Sequence, residues 1–305
     1  MKKGQFPEEQ GDDGSFDRQE DEFRNKVEEI EVGRYHLYVC KACPWAHRAW
    51  IVLRLMGLEN TISVSFVDPI RDEKGWAFRE GDGHGLDEVE GFSHLSEAYR
   101  ISDPDFSGRV TVPVLWDRKK RSIVNNSEDD ICRIFASNFK PVAKHPVDLF
   151  PDDLRKEQAA LSESIYETVN NGVYQAGFAT TQDAYEKAYE ALFETLGTIE
   201  VLLSNGGPYL FGDRIVETDW RLFCTLIRFD AVYHGHFKCN KCKIAEYPKL
   251  QNYLERLYLR PGIVETVNFD HIKRHYYVTH DDINPTRIVP AGPELNWVRM
   301  DFHRL

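Results

Sequence analysis

Cysteine is scarce in this chain: six in 305 residues, too few for a disulfide framework and no sign of an oxidising compartment. No apolar run approaches the roughly 18 residues that a membrane-spanning helix needs. The opening residues, Met1-Lys-Lys-Gly-Gln-Phe6, lead into acidic ones and lack the apolar core of a secretory signal. Positive charge is also in short supply, 38 Lys and Arg against 50 Asp and Glu, for a formal net charge of −12. That balance argues against nucleic acid or anionic membrane as a main partner, since both need a positive surface. There is no internal repeat. These absences leave a cytoplasmic protein as the expectation.

What is present is enough apolar material, 42% of residues with 12% aromatic, for one large or two ordinary domains. The chain is organised around Tyr35-His-Leu-Tyr-Val-Cys-Lys-Ala-Cys-Pro-Trp-Ala-His-Arg48. The β-formers from Tyr35 to Val39 predict a strand. Pro44 predicts a helix start, because proline is tolerated at the first helical position, where its missing N–H had no intrahelical partner. Cys43 is then the N-cap, at the positive end of the helix dipole. A thiol there ionises more readily than the free value of about 8.5, and the thiolate is the reactive form. Cys43 therefore reads as a nucleophile rather than a small buried hydrophobe. Cys40 completes a Cys-x-x-Cys spacing of redox character. The capping thiol of such a pair is ordinarily the first, whereas here it is the second. Cys40 is either a resolving thiol or a strand-end residue.

Residues 1–32 are acid-rich and predict a flexible arm. Ala46, Ala49, Trp50, Leu53 and Met56 form one apolar stripe of a helix over residues 44–58. Alternation over 61–67 predicts a second strand, parallel to the first. Residues 68–108 carry recurrent glycines around Trp76 and no core periodicity, and predict an insertion of functional length. Trp76 has either a packing or a site role. Arg109 to Trp116 predicts a strand entered through Val112-Pro113, where proline at a strand start suits a special turn with a cis bond. A strand over 121–124 leads to a helix start at Asn126-Ser127-Glu128, either an ordinary cap or an anion site for a ligand carboxylate. The order over residues 33–140 is thioredoxin-like. A proline-rich linker follows, and helical periodicity fills 152–270. Residues 271–305 predict an irregular tail.

An α/β thioredoxin-like N-terminal domain followed by an all-α C-terminal domain is the glutathione transferase fold. Several blocks are more specific. Leu37-Tyr-Val-x-x-Ala-Cys43-Pro-Trp-Ala-His-Arg48, Gly75-Trp76, Arg109-Val-Thr-Val-Pro-Val-Leu-Trp-Asp117, Asn171-Gly-Val-Tyr-Gln-Ala-Gly-Phe-Ala179, Arg228-Phe-Asp-Ala-Val-Tyr233 and His271-Ile-Lys-Arg-His-Tyr-Tyr277 resemble the glutathionyl-hydroquinone reductases, the Xi class of that superfamily. The resemblance spans about residues 33–293. It implies that Cys43 attacks the sulfur of a glutathionyl-hydroquinone, that the hydroquinone leaves, and that a second glutathione resolves the mixed disulfide. It further implies Tyr174 as proton donor and acceptor, with Tyr233 and Tyr276 (or Tyr277 in its place) hydrogen-bonding near the thiolate or substrate. Glutathione contacts carry over to Trp76, to Arg109, Val110, Thr111 and Val112, and to Ser127 and Glu128. The partners implied are glutathione and a glutathionyl-hydroquinone, in a homodimer paired through the helical half.

Two positions depart from that pattern. The family usually has Glu-Ser at the helix start, where this chain has Ser127-Glu128, an inversion that sets a carboxylate against a ligand carboxylate and implies weaker glutathione binding or preference for a different γ-glutamyl thiol. Cys40 stands where the family has a hydroxyl or another small residue. Competing readings are a glutaredoxin-like disulfide or dehydroascorbate reductase using the same Cys43, and a non-catalytic interaction module. The spacing His234-x-His236-x-x-Cys239-x-x-Cys242 offers a tetrahedral zinc set. Gly235 to Asn240 belongs to the family pattern without metal, however, and the expectation is a metal-free site with glutathione as cosubstrate.

Overall fold

The computed structural model describes residues 7–298. They divide into two compact units: a mixed unit of Gln19–Asp148 with Thr266–His275, and a helical unit of residues 7–18, Leu149–Glu265 and residues 276–298.

The mixed unit is built on a four-stranded sheet of β1 (Tyr35–Val39), β2 (Ser63–Phe66), β3 (Val114–Asp117) and β4 (Ser122–Asn125), in the order β2-β1-β3-β4. β1 and β2 are parallel, as a strand–helix–strand connection requires, while β3 runs antiparallel to both β1 and β4. The intervening helix α1 (Pro44–Met56) buries the predicted stripe and stops at Gly57, whose φ of 66° is the left-handed cap that glycine favours. Helix α3 (Glu128–Arg133) continues as a wider turn over Ile134–Asn138. Tyr35, Leu37, Tyr38 and Val39 are all at most 1% exposed, so β1 is buried on both faces.

The insertion is ordered core rather than loose loop. Phe78, Phe92, Leu95, Ala98 and Tyr99 are buried, the last two on helix α2 (Ser96–Ser102). Asp87 replaces missing periodicity with polar organisation. Its carboxylate accepts the N–H groups of Val89, Glu90 and Phe92 and the Tyr38 hydroxyl.

Three other expectations change. The arm from residue 7 onward is packed. Phe16 lies 5.2 Å from Phe178, and the Gln10 amide donates to the carbonyls of Gly14 and Ser15. Residues 23–25 pair with β4 through Asn25 N to Val124 O (3.0 Å) and Asn126 N to Phe23 O (2.9 Å). The strand expected from residue 109 is confined to Val114–Asp117, beyond the cis Val112–Pro113 bond. The stretch read as tail from 271 is helical to Thr279, in α9 (Phe269–Thr279). Residues 1–6 of the arm and 299–305 of the tail lie outside the described residues.

The helical unit contains α4 (Arg155–Ile165), α5 (Gly172–Phe178), α6 (Gln182–Gly206), α7 (Glu217–Arg228), α8 (Pro248–Tyr258) and the end of α9. Helix α7 is buried along its whole length. Its start is fixed by Asp219, whose carboxylate accepts Val216 N and Leu210 N and the Tyr253 hydroxyl. Burial raises that carboxyl to about 6. Among the described residues no helix is long and apolar enough to cross a membrane.

Candidate active site

The thiol sits where the sequence places it. Cys43 has extended N-cap geometry, φ −74° and ψ 124°, and Pro44 opens the helix behind it. Its Sγ donates to Val112 O at 3.6 Å, next to the cis bond. Such a helix start favours a negative charge. The turn before it is closed by Cys43 N donating to Cys40 O at 3.1 Å. Further along α1, His47 bonds Thr266 (2.7 Å) and Arg48 is almost wholly buried. Arg48 pairs with Glu128 at 3.0 Å and with Asp129. The carboxylate of Glu128 is thus matched by a buried guanidinium at the start of α3. Ser127, its N-cap, is buried, and its N–H donates to Asn125 Oδ1 (2.8 Å).

The segment before the cis bond uses its backbone in two ways. Arg109 exchanges both backbone groups with the Gln19 side chain, at 2.8 and 2.9 Å. Thr111 does the same with the Tyr99 hydroxyl, at 3.2 and 2.9 Å. Extended backbone presents alternate residues to opposite sides. Val110 and Val112 therefore belong to the other edge, the one on which the Cys43 thiol meets a carbonyl. Of the four residues on this segment expected to meet glutathione, Arg109 and Thr111 have their backbone groups engaged elsewhere. Trp76 is 5% exposed. His275 stacks on its ring at 5.2 Å and the Arg71 guanidinium lies 5.4 Å from the ring centroid.

The three tyrosines named from the sequence converge in the helical unit. Tyr276 bridges the other two, 2.5 Å from the Tyr174 hydroxyl and 2.8 Å from the Tyr233 hydroxyl. Burial pushes Tyr233 and Tyr276 well above the ordinary phenol value, so both keep their protons. Tyr174 is the open end, 8% exposed against 0% for Tyr233 and 1% for Tyr276. Tyr277 does not join; its hydroxyl reaches Ala231 O at 3.5 Å. Phe237 stacks on Tyr233 (5.5 Å, 17°), an approach that needs Gly177, since a Cβ there would lie 2.2 Å from the Phe237 ring.

One member of this cluster is missing from the sequence reading. Arg18, in the acid-rich arm, holds its guanidinium 4.7 Å from the centre of the Tyr174 ring and donates from Nε to Asn171 Oδ1 at 2.8 Å. A lone arginine among acidic residues gives no periodic signal. His236 bonds His280 at 3.2 Å, and burial lowers its imidazole to about 4. Burial also pushes the Cys239 thiol far up. Among the described residues no three candidate ligands converge on a metal position.

Comparison with known proteins decides the family. Residues 42–138 match the glutathione S-transferase N-terminal domain and residues 182–256 the C-terminal domain. The glutathionyl-hydroquinone reductase PcpF of Sphingobium chlorophenolicum is 47% identical over 92% of this chain and 90% of its own. The chain belongs to the glutathionyl-hydroquinone reductases, the Xi class of glutathione transferases.

The Xi glutathione transferase of Phanerochaete chrysosporium superposes with a TM-score of 0.92 at 44% identity, covering 94% of this chain and 95% of that one. The glutathione-bound structure of YqjG from Escherichia coli K-12 gives 0.86 at 46% identity, covering 88% of each. At the inverted Ser127-Glu128 pair the Glu128 carboxylate is paired with the buried Arg48 guanidinium.

Proposed function

We propose that this chain reduces glutathionyl-hydroquinones to hydroquinones with glutathione as cosubstrate. The Cys43 thiolate attacks the glutathionyl sulfur and the carbon–sulfur bond breaks. The bonding pair stays on the aromatic carbon, which takes a proton and leaves as hydroquinone. A second glutathione thiolate attacks the Cys43–glutathione disulfide, so oxidised glutathione departs and the Cys43 thiolate returns. The carbon is reduced and two sulfurs are oxidised, so the electrons balance. The observation that carries this reading is Cys43 in extended N-cap geometry at the start of α1, with Pro44 opening the helix behind it. A hydroxyl there would stabilise a glutathione thiolate for conjugation, whereas a thiol forms the mixed disulfide.

Tyr174 is the proton donor to the departing carbon, and Tyr276 and Tyr233 hold it in place and replenish it. Their hydrogen bonds, Tyr276 to both Tyr174 and Tyr233, support the positioning role. Glutathione lies along the Val110 and Val112 edge, with its γ-glutamyl end at Ser127 and Glu128 and Trp76 beside it. Arg109 and Thr111 shape that edge from behind. Ser127-Glu128 admits γ-glutamylcysteine as an alternative thiol, and comparison of the two dissociation constants tests this: marked preference for glutathione removes the idea. The working assembly is a homodimer through the helical half in the cytoplasm, which light scattering of the purified protein tests for its stoichiometry. The decisive experiment is turnover of glutathionyl-menadiol by wild type and Cys43→Ala. Wild type releases menadiol and the variant falls to background; activity surviving in the variant would overturn the mechanism.

A further inference from the structure

We infer that Cys40 is a resolving thiol, able to displace glutathione from Cys43 and leave an internal Cys40–Cys43 disulfide. The inference rests on the reductase reading above and adds a second protein thiol to it. The geometry begins with the turn. Cys43 N donates to Cys40 O at 3.1 Å, closing a four-residue turn through Lys41 and Ala42. A turn closed in this way brings its end Cα atoms within about 7 Å. Disulfides span Cα separations of about 4.4–6.8 Å, so the backbone already holds the two cysteines within bridging range.

Exposure then divides the labour. Cys43 is 8% exposed at the mouth of the helix, whereas Cys40 is 0% exposed at the end of β1. A glutathione conjugate can reach the first and not the second. Cys40 can therefore act only on a sulfur delivered by its neighbour. Ordinary Cys-x-x-Cys pairs have the same outer nucleophile and inner partner, in the opposite sequence order. Here the helix cap decides which thiol is outer, and the cap is the second cysteine.

The step balances without an external oxidant. Once the hydroquinone has left, Cys43 carries glutathione as a disulfide. The Cys40 sulfur attacks Cys43 Sγ, the Cys43–glutathione bond breaks, and glutathione leaves with the proton that Cys40 gives up. A later glutathione attacks Cys43 Sγ, releasing Cys40 and restoring the mixed disulfide for the final exchange. Overall stoichiometry is unchanged. When free glutathione is scarce, the protein rests as a disulfide in place of an adduct.

The test is a single turnover. Reduced protein receives one equivalent of glutathionyl-menadiol with no free glutathione and is quenched in acid. Wild type is expected to release one glutathione for each menadiol and to become two hydrogens lighter. Cleavage after Lys41 separates the two cysteines, so their peptides should remain joined only until reduction. In Cys40→Ser and Cys40→Ala the glutathionyl group should stay on Cys43, with a lifetime at least roughly tenfold longer than in wild type. A wild-type adduct that persists on Cys43, with menadiol released and no Cys40–Cys43 peptide, overturns the resolving role and leaves the reductase reading intact. No menadiol from any form overturns both. The wild-type peptide result decides the matter even if the buried substitutions prevent folding.

Discussion

The two units of this protein prepare opposite kinds of group in opposite ways. In the mixed unit the proposed reactive atom is a largely buried sulfur at a helix start, where backbone amides favour negative charge. In the helical unit the groups are phenols removed from solvent, where burial opposes negative charge. On the proposed reading, one unit favours an anion by backbone placement, while in the other burial keeps phenols protonated. Backbone placement needs only a few consecutive residues. Desolvation needs side chains from α5, the turn after α7, and α9, together with an arginine from the arm.

The contrast can be broken or sharpened by experiment. The largest expected effect concerns acid. His36 in the mixed unit and His236 in the helical unit are both lowered by burial to about 4. Their unfolded forms take a proton below about 6.5, while the folded forms refuse it until about 4. Each imidazole therefore contributes stability that is full above 6.5 and lost as pH falls through that window, to a limit of about 3 kcal/mol per residue. His36 illustrates the cause: Nδ1 pairs with Ser63 Oγ at 2.6 Å and buried Nε2 has no partner to receive a new proton. Urea unfolding at pH 7 and pH 4.5 should show a smaller pH loss in His36→Gln and in His236→Gln than in wild type. An unchanged slope in both would remove burial as the cause.

Tyr174→Phe should lower kcat for glutathionyl-menadiol by about 100-fold, the scale of a positioned general acid, with Cys43 alkylation by iodoacetamide unchanged. A slowed alkylation would mean that the phenol serves the thiol and not the leaving carbon. Gly177→Ala drives a methyl into the Phe237 ring and should cost about 1–3 kcal/mol in urea unfolding; near-neutral stability would show that the ring can yield. Arg18→Met removes the charge over Tyr174 but retains much of the apolar bulk. The loss of a cation–π contact of about 0.5–2 kcal/mol predicts a several-fold fall in kcat with KM little changed. A change confined to KM would assign Arg18 to binding.

The same contrast explains what the sequence made legible. The strand, turn and helix around Cys43 are encoded locally by β-formers, a proline and an apolar stripe, so residues 35–56 could be read directly. The parallel β1–β2 pairing followed from the short helical crossover. Tyr174, Tyr233 and Tyr276 could not be picked out of fourteen tyrosines by spacing; only the resemblance singled them out. The arm was opaque because Arg18 and Gln19 are held by hydrogen bonds to distant backbone and side chains, which leave no periodicity. Helix α9 was missed because His271 and His275 occupy buried positions where an apolar stripe would normally show. Residues 109–113 looked like strand, yet their pairing partners are the side chains of Gln19 and Tyr99.

Arg48 lies five residues beyond the nucleophile and ends on Glu128, where the second helix begins. Stripping that guanidinium away would strand a carboxylate in the interior, a defect of about 3–5 kcal/mol for a buried pair. The two helix starts are therefore mechanically one part. If glutathione sits as proposed, a mutation that loosens the start of α3 would also shift Cys43, so affinity and rate in this protein should drift together through evolution rather than separately.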